Sequence, residues 1–137
     1  MTLYHATCVN FEGKGILILG PSGSGKSDLA LRLIDVGASL VSDDYVEIEV
    51  QNGKLIATTA PNIEGLIEIR GVGLIKVDYI KSTSLALVLD LVNFKEIERL
   101  PDSEFFSHDD CQIPSFKFDA FGLSSVAKIR IILKNQG

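Results

Sequence analysis

Apolar positions along this chain fall mostly in short runs, with one stretch at helical spacing. Residues 16–20, ILILG, are a continuous apolar run of strand length, the pattern of a strand buried on both faces. LYHATCVNF (3–11) has strand composition, and EGKG (12–15) reads as a turn. Leu29, Leu33 and Ile34, with Ala30 beside them, recur at helical spacing, and Gly37 stands where a C-terminal glycine cap belongs. SLVS (39–42) is a second short apolar run that ends at the pair Asp43-Asp44. YVEIEV and KLIATT alternate or carry β-branched residues on either side of Asn52-Gly53, the hairpin signal that wants positive φ at both central positions.

Further along, LIEIR (66–70) predicts a strand cut off by Gly71 and Gly73, and SLALVLDLV (84–92) predicts a long buried one. FKEIERLP predicts one or two helical turns stopped by Pro101, DSEFFSHDD a polar loop, and PSFKFDAFG an extended segment. SSVAKIRIILKN reads as a capped terminal helix, with a strand as the alternative. Strands outnumber helices around one strong strand–loop–helix unit, so an α/β fold follows. The hairpin near residues 45–60 makes its sheet mixed rather than wholly parallel.

The 137 residues suit a single domain, 1–137, with 46% apolar and 23% charged residues and no repeat or linker. A formal net charge of −5 leaves no basic surplus for a nucleic-acid backbone. MTLYHATCVN has neither the basic region nor the apolar stretch of a secretion signal, and no apolar run reaches the length of a membrane span. The two cysteines, Cys8 and Cys111, form no disulfide framework or zinc spacing. A cytoplasmic protein with reduced thiols, without nucleic-acid or membrane partners, is expected. HDDC (108–111) has no second cluster at metal spacing and reads as a solvated loop.

The chemistry begins at residues 20–27, GPSGSGKS. Gly20, Gly25, Lys26 and Ser27 satisfy the phosphate-loop pattern, with Pro21, Ser22, Gly23 and Ser24 between them. The loop must curl so that successive N–H groups face one anion, and the helix N-terminus behind it adds further donors. Lys26 then supplies charge to the outer phosphates and the Ser27 hydroxyl is a ligand for Mg²⁺. A nucleoside triphosphate is the expected ligand. Such a site also needs a carboxylate. Asp90, at the end of LALVLD, and the pair Asp43-Asp44, at the end of LVSDD, fit equally well, with Glu68 beside Arg70 a third place. Periodicity leaves the choice open.

GPSGSGKSDLALRLIDVGASLVSDDYVEI, followed by LIEIRGVGLIKV, resembles the catalytic domain of the bacterial HPr kinase/phosphorylase family, densely over residues 5–77 and thinly afterwards. The resemblance implies a P-loop kinase-like domain with a mixed sheet and a phosphoenolpyruvate-carboxykinase-like nucleotide-binding core. It also implies ATP and Mg²⁺ as cofactors, and the phosphocarrier protein HPr as the substrate phosphorylated on serine. By position, the family's active-site histidine falls on His5, its loop lysine on Lys26 and its magnesium serine on Ser27. The aspartate that takes the acceptor's proton falls on Asp44, a second magnesium ligand on Glu68, and a later catalytic arginine on Arg99. Asp90 then loses the metal role. Family members associate into rings, so a homo-oligomer is expected.

The departures bear on activity. Full-length members carry an N-terminal domain ahead of the catalytic one; with the phosphate loop starting at residue 20, the chain is expected to be one of the family's catalytic-domain short forms, without that domain. Asp28 stands where the family usually has Glu. The family's PGRN-like loop, used in dephosphorylation, is not recognisable in SFKFDAFGLSSVAKI, and no arginine lies between Arg99 and Arg130. The resemblance therefore carries the kinase direction and not the phosphorylase one. Two alternatives remain open at this level: a kinase with a small-molecule or peptide acceptor, and a nucleotide-sensing module without catalysis.

Overall fold

The structure, a computed structural model, describes residues 2–136. Its framework is one large mixed sheet. β1 (Thr2–Tyr4), β2 (Thr7–Phe11) and β3 (Lys14–Leu19) are followed by α1 (Lys26–Asp35), β4 (Ser39–Ser42), β5 (Val46–Gln51) and β6 (Lys54–Thr59). A small hairpin, β7 (Leu66–Ile69) and β8 (Gly73–Lys76), precedes the long β9 (Ser82–Leu91). A 3₁₀ turn (Phe94–Glu96), β10 (Glu104–His108), β11 (Cys111–Phe118) and α2 (Ser125–Lys134) complete it.

β9 is the hub of the sheet. Its first residues pair antiparallel with β6, its last four pair parallel with β11, and β3 runs parallel along it from Gly15↔Leu85 to Leu19↔Asp90. Beyond β3 the order continues through β2 to β4. The strands β3, β9 and β11 thus bring their carboxyl ends together, and the phosphate loop leaves from β3 at that edge. Alternation explains why the apolar runs are continuous. Ile16, Ile18, Leu87 and Leu89 face the side covered by the helices, against Leu29, Leu33, Ile129 and Leu133. Leu17 and Val88 face the other side, with Cys8, Val41, Val46 and Ile48. Each such leucine or isoleucine contributes about 2 kcal/mol when fully buried.

The mixed sheet and the terminal helix agree with the pattern reading, and Asn52 (φ 53°) and Gly53 (φ 77°) both take the left-handed conformation the hairpin requires. Three segments differ from it. LYHATCVNF is not one strand: the chain breaks at His5, so that β1 pairs with β5 and β2 with β3 and β4. DSEFFSHDD is not simply a loop, because Glu104–His108 pairs in register with β11. Its turn, Asp109-Asp110, has φ of 45° and 66°, a two-residue hairpin that short polar side chains tolerate. HDDC is therefore a hairpin turn. FKEIERLP yields only the 3₁₀ turn, closed by reciprocal bonds between Asn93 and Glu96 or Lys95. Among the described residues, no helix is long and apolar enough to cross a membrane.

Candidate active site

The loop between β3 and α1 holds its shape by backbone conformations that only glycine adopts cheaply. Gly23 and Gly25 have φ of 80° and 97°, and Gly25 is the residue from which α1 starts. A Cβ on Gly20 would lie 2.5 Å from Ser24 Oγ and 3.1 Å from Leu91 Cβ, so a side chain there would force the Ser24 hydroxyl to turn away. The Lys26 ammonium donates to the carbonyls of Gly20 (2.7 Å) and Pro21 (3.1 Å) and is largely buried. These neutral partners leave its charge uncompensated within the loop, beside the free N–H groups at the start of α1.

From Ser27 the contacts run to one acid. Ser27 Oγ lies 2.8 and 2.9 Å from the two carboxylate oxygens of Asp43. Asp43 is only 5% exposed and also accepts from Thr7 Oγ1 (2.8 Å) and the Glu68 backbone N–H (3.2 Å). One carboxylate thereby ties together β2, the start of α1 and β7. Charge-assisted bonds of this kind are the strong ones, and they make Asp43 the organiser of the site.

Asp44 is its opposite. Its side chain is 66% exposed, and among the described residues it meets His5, whose Nε2 lies 3.0 Å from Oδ1. Asp44 has a φ of 71°, a left-handed conformation that is uncommon outside glycine, asparagine and aspartate. The twist turns consecutive carboxylates in different directions, one into the protein and one to solvent. The break between β1 and β2 puts His5 across from Asp44, where its ring also packs on Tyr45 with centroids 5.2 Å apart.

The structure thus bonds Ser27 to Asp43 and His5 to the adjacent Asp44, with Lys26 next to Ser27 in the loop. Glu68 reaches the cluster through its backbone, while its side chain is exposed. Arg99 does not join them. It follows the 3₁₀ turn and lines a separate hollow with Phe116, Lys117, Lys128 and Ile131. The carboxyl ends of β9 and β11 lead the chain there, on the far side of β3 from Asp43. Asp90 also lies on that far side, paired in register with Leu19. The part missed from sequence is Thr7 and the anchoring role of Asp43. The signal was a buried-type strand, TCV, carrying one threonine toward LVSDD.

The oxygens of Ser27 and Asp43 suit a hard divalent cation. Among the described residues, no group of three or more His, Cys, Asp or Glu side chains forms a metal cage. That donor set matches Mg²⁺, which is held by one or two protein oxygens together with waters and substrate phosphates.

Comparison with known proteins gives a consistent set of likenesses. Residues 1–120 match the family model described as the HPr serine kinase C-terminal domain. The HPr kinase/phosphorylase of Caldicellulosiruptor bescii is 43% identical over 107 residues, covering 70% of this chain and 34% of that protein. HPr kinase/phosphorylase 1 of Oceanobacillus iheyensis is 38% identical over 125 residues, covering 82% and 40%. The chain therefore spans well under half the length of these relatives. Among solved structures, the Hpr(Ser) kinase/phosphatase of Coxiella burnetii superposes with a TM-score of 0.84 at 25% identity, covering 98% of this chain and 100% of that one.

Proposed function

The chain belongs to the family of HPr serine kinase C-terminal domains, and on that premise we propose that it is an ATP-dependent protein kinase that phosphorylates a serine of HPr. The observation that carries this reading is the pairing of one buried and one exposed aspartate. Asp43 fixes Ser27 and the loop, while Asp44 presents a carboxylate to solvent beside them.

A serine hydroxyl is a weak nucleophile. Asp44 accepts its proton as the oxygen bonds to the γ-phosphorus and the bond to the β-phosphate oxygen breaks. His5 is a positioning residue, holding the Asp44 carboxylate through Nε2. Lys26 and the loop N–H groups neutralise charge on the transferred group, with Lys26 exchanging its carbonyl partners for phosphate oxygens. Ser27 and Asp43, with Glu68 on β7, are the residues that would hold Mg²⁺, which would supply charge to offset that of the outer phosphates. The exposed Val72 and Leu74, on the β7–β8 hairpin that Glu68 anchors, offer apolar area to a protein acceptor. Homo-oligomerisation and a cytoplasmic location belong to the same proposal.

The test is transfer of γ-labelled phosphate from ATP–Mg²⁺ to purified HPr. Label on a serine of HPr, lost in Asp44→Asn and Lys26→Ala, supports the proposal. Intact ATP binding with no labelled HPr refutes HPr as the acceptor.

A further inference from the structure

On the side of the loop away from Asp43 lies a hollow of about 530 Å³. Three separated segments wall it: Pro21 and Ser24 from the phosphate loop, the end of β9 from Asp90 together with Phe94 and Glu96 beyond it, and Asp119 and Phe121 after β11. It sits at the carboxyl ends of three parallel strands, the place where open α/β sheets bind ligands.

Two aromatic side chains line this hollow and are largely exposed, Phe94 at 68% and Phe121 at 67%. Both are mounted on fixed backbone. Phe94 opens the 3₁₀ turn that the Asn93–Glu96 capping bonds close. Phe121 N–H donates to Asp119 Oδ1 (3.1 Å), and Arg32 of α1 donates to the carbonyl of the preceding Ala120. The Phe121 ring stands against the phosphate loop itself, since a Cβ on Gly25 would lie 2.8 Å from it. Ser24 Oγ, on the same wall, is buried without a hydrogen-bond partner. Asp90 and Asp119 supply carboxylates that accept from hydroxyl or amino groups.

We infer that this hollow binds the nucleoside of the phosphate donor, with its base stacked on Phe121 and Phe94 and its ribose hydroxyls donating to Asp90 or Asp119. The inference rests on the kinase reading and adds the donor's specificity to it. Direction decides the occupant. The transferred phosphate must lie toward Asp44, on the β2–β4 side of β3, so the rest of the donor leaves the loop toward β9 and β11. The volume matches a small-molecule site, and flat apolar rings beside a phosphate cradle suit a base.

Calorimetric titration of the whole chain with ATP and, separately, with inorganic tripolyphosphate, both with Mg²⁺, tests this without measuring transfer. The wild type should bind ATP at least tenfold more tightly than tripolyphosphate. Phe121→Ala should weaken ATP binding by about tenfold, as expected for loss of one stacking ring, with tripolyphosphate unchanged. Phe94→Ala should act in the same direction, and Phe121→Tyr should restore ATP binding. Equal wild-type affinity for the two ligands, or a Phe121→Ala variant that loses both alike, overturns the inference while leaving the loop's role intact. Failure of the wild type to bind either ligand overturns the kinase reading and this inference together.

Discussion

Replacing Asp43 by alanine removes the acceptor of three donors at once: Thr7 Oγ1, Ser27 Oγ and the Glu68 N–H. A hydrogen bond to a charged group contributes about 1.5–3 kcal/mol, and a buried donor left alone costs about 1–3 kcal/mol. Thr7 is fully buried and cannot turn to water, whereas the bonds from Ser27 and Glu68 N–H are only part-buried, so both donors can recover water in part. Deleting the carboxylate also relieves its own desolvation. The net loss should therefore fall below the sum, at about 3 kcal/mol, or about 10 °C in Tm for a domain of this size. Asp43→Asn, which keeps one acceptor oxygen, should lose about half as much.

Asp44 gives the control. Its side chain is exposed, its partner His5 is exposed, and its left-handed backbone accommodates asparagine. Asp44→Asn should change stability by under about 0.5 kcal/mol while abolishing transfer. Urea denaturation followed by circular dichroism measures both, with an unchanged m-value showing that the unfolded state is the same. If Asp43→Ala stays within about 1 kcal/mol of wild type, or Asp44→Asn is the more damaging of the two, the division of roles between these neighbours is refuted.

Three further outcomes follow from single residues. Lys26→Ala should lower phosphate transfer by at least about 100-fold, the usual scale for losing one transition-state donor, as read by the γ-label assay. Gly25→Ala should lose both stability and triphosphate binding, because its φ is 97° and its Cβ would meet Phe121 at 2.8 Å; calorimetry and thermal melts read the two losses. Burial pushes the Cys8 thiol well above its ordinary value of 9.0. The folded state then binds more protons than the unfolded one above that pH, so stability should fall by about 1.4 kcal/mol per pH unit past pH 9. Burial, then the charge of Asp109, also raises Tyr4 above 10.0, which steepens the fall beyond pH 10. Cys8→Ala should flatten the curve between pH 9 and 10 in urea titrations at stepped pH.

The elements most legible in the sequence are those fixed by local chemistry. ILIL followed by the glycine-rich loop specifies a strand, an anion cradle and a helix start within twenty residues, and Asn52-Gly53 specifies a turn by φ alone. β10 was illegible because its residues, EFFSH, are mostly exposed and form a strand only through pairing with β11. The break at His5 was illegible for a similar reason: tertiary pairing of β1 with β5 sends one stretch of strand composition into two partners. Arg99 lay beyond the region of dense resemblance, and an arginine in a loop has no periodicity from which its direction could be read.

The choice between Asp90 and the pair Asp43-Asp44 shows where pattern stops and topology begins. Asp90 sits near the carboxyl end of the long β9 and Asp43 just past the end of the short β4, and both strands lie close to β3 in the sheet. They fall on opposite sides of it, β9 to one side and β2 with β4 to the other. Sheet order is set by long-range pairing, which no window of sequence contains. Once it is known, the two acids part: Asp43 reaches Ser27 through an inward-facing carboxylate, and Asp90 faces the hollow where Phe94 and Phe121 stand. The same pairing explains why the proposed nucleoside side left no motif. Its walls come from the phosphate loop, from the end of β9 with the turn after it, and from the loop after β11, three segments with nothing in common except that each lies at the carboxyl end of a strand in one parallel set. A phosphate loop is written in one stretch because a single turn of backbone must wrap an anion. A base needs only flat surfaces facing one another, and the fold can draw those from anywhere along the chain.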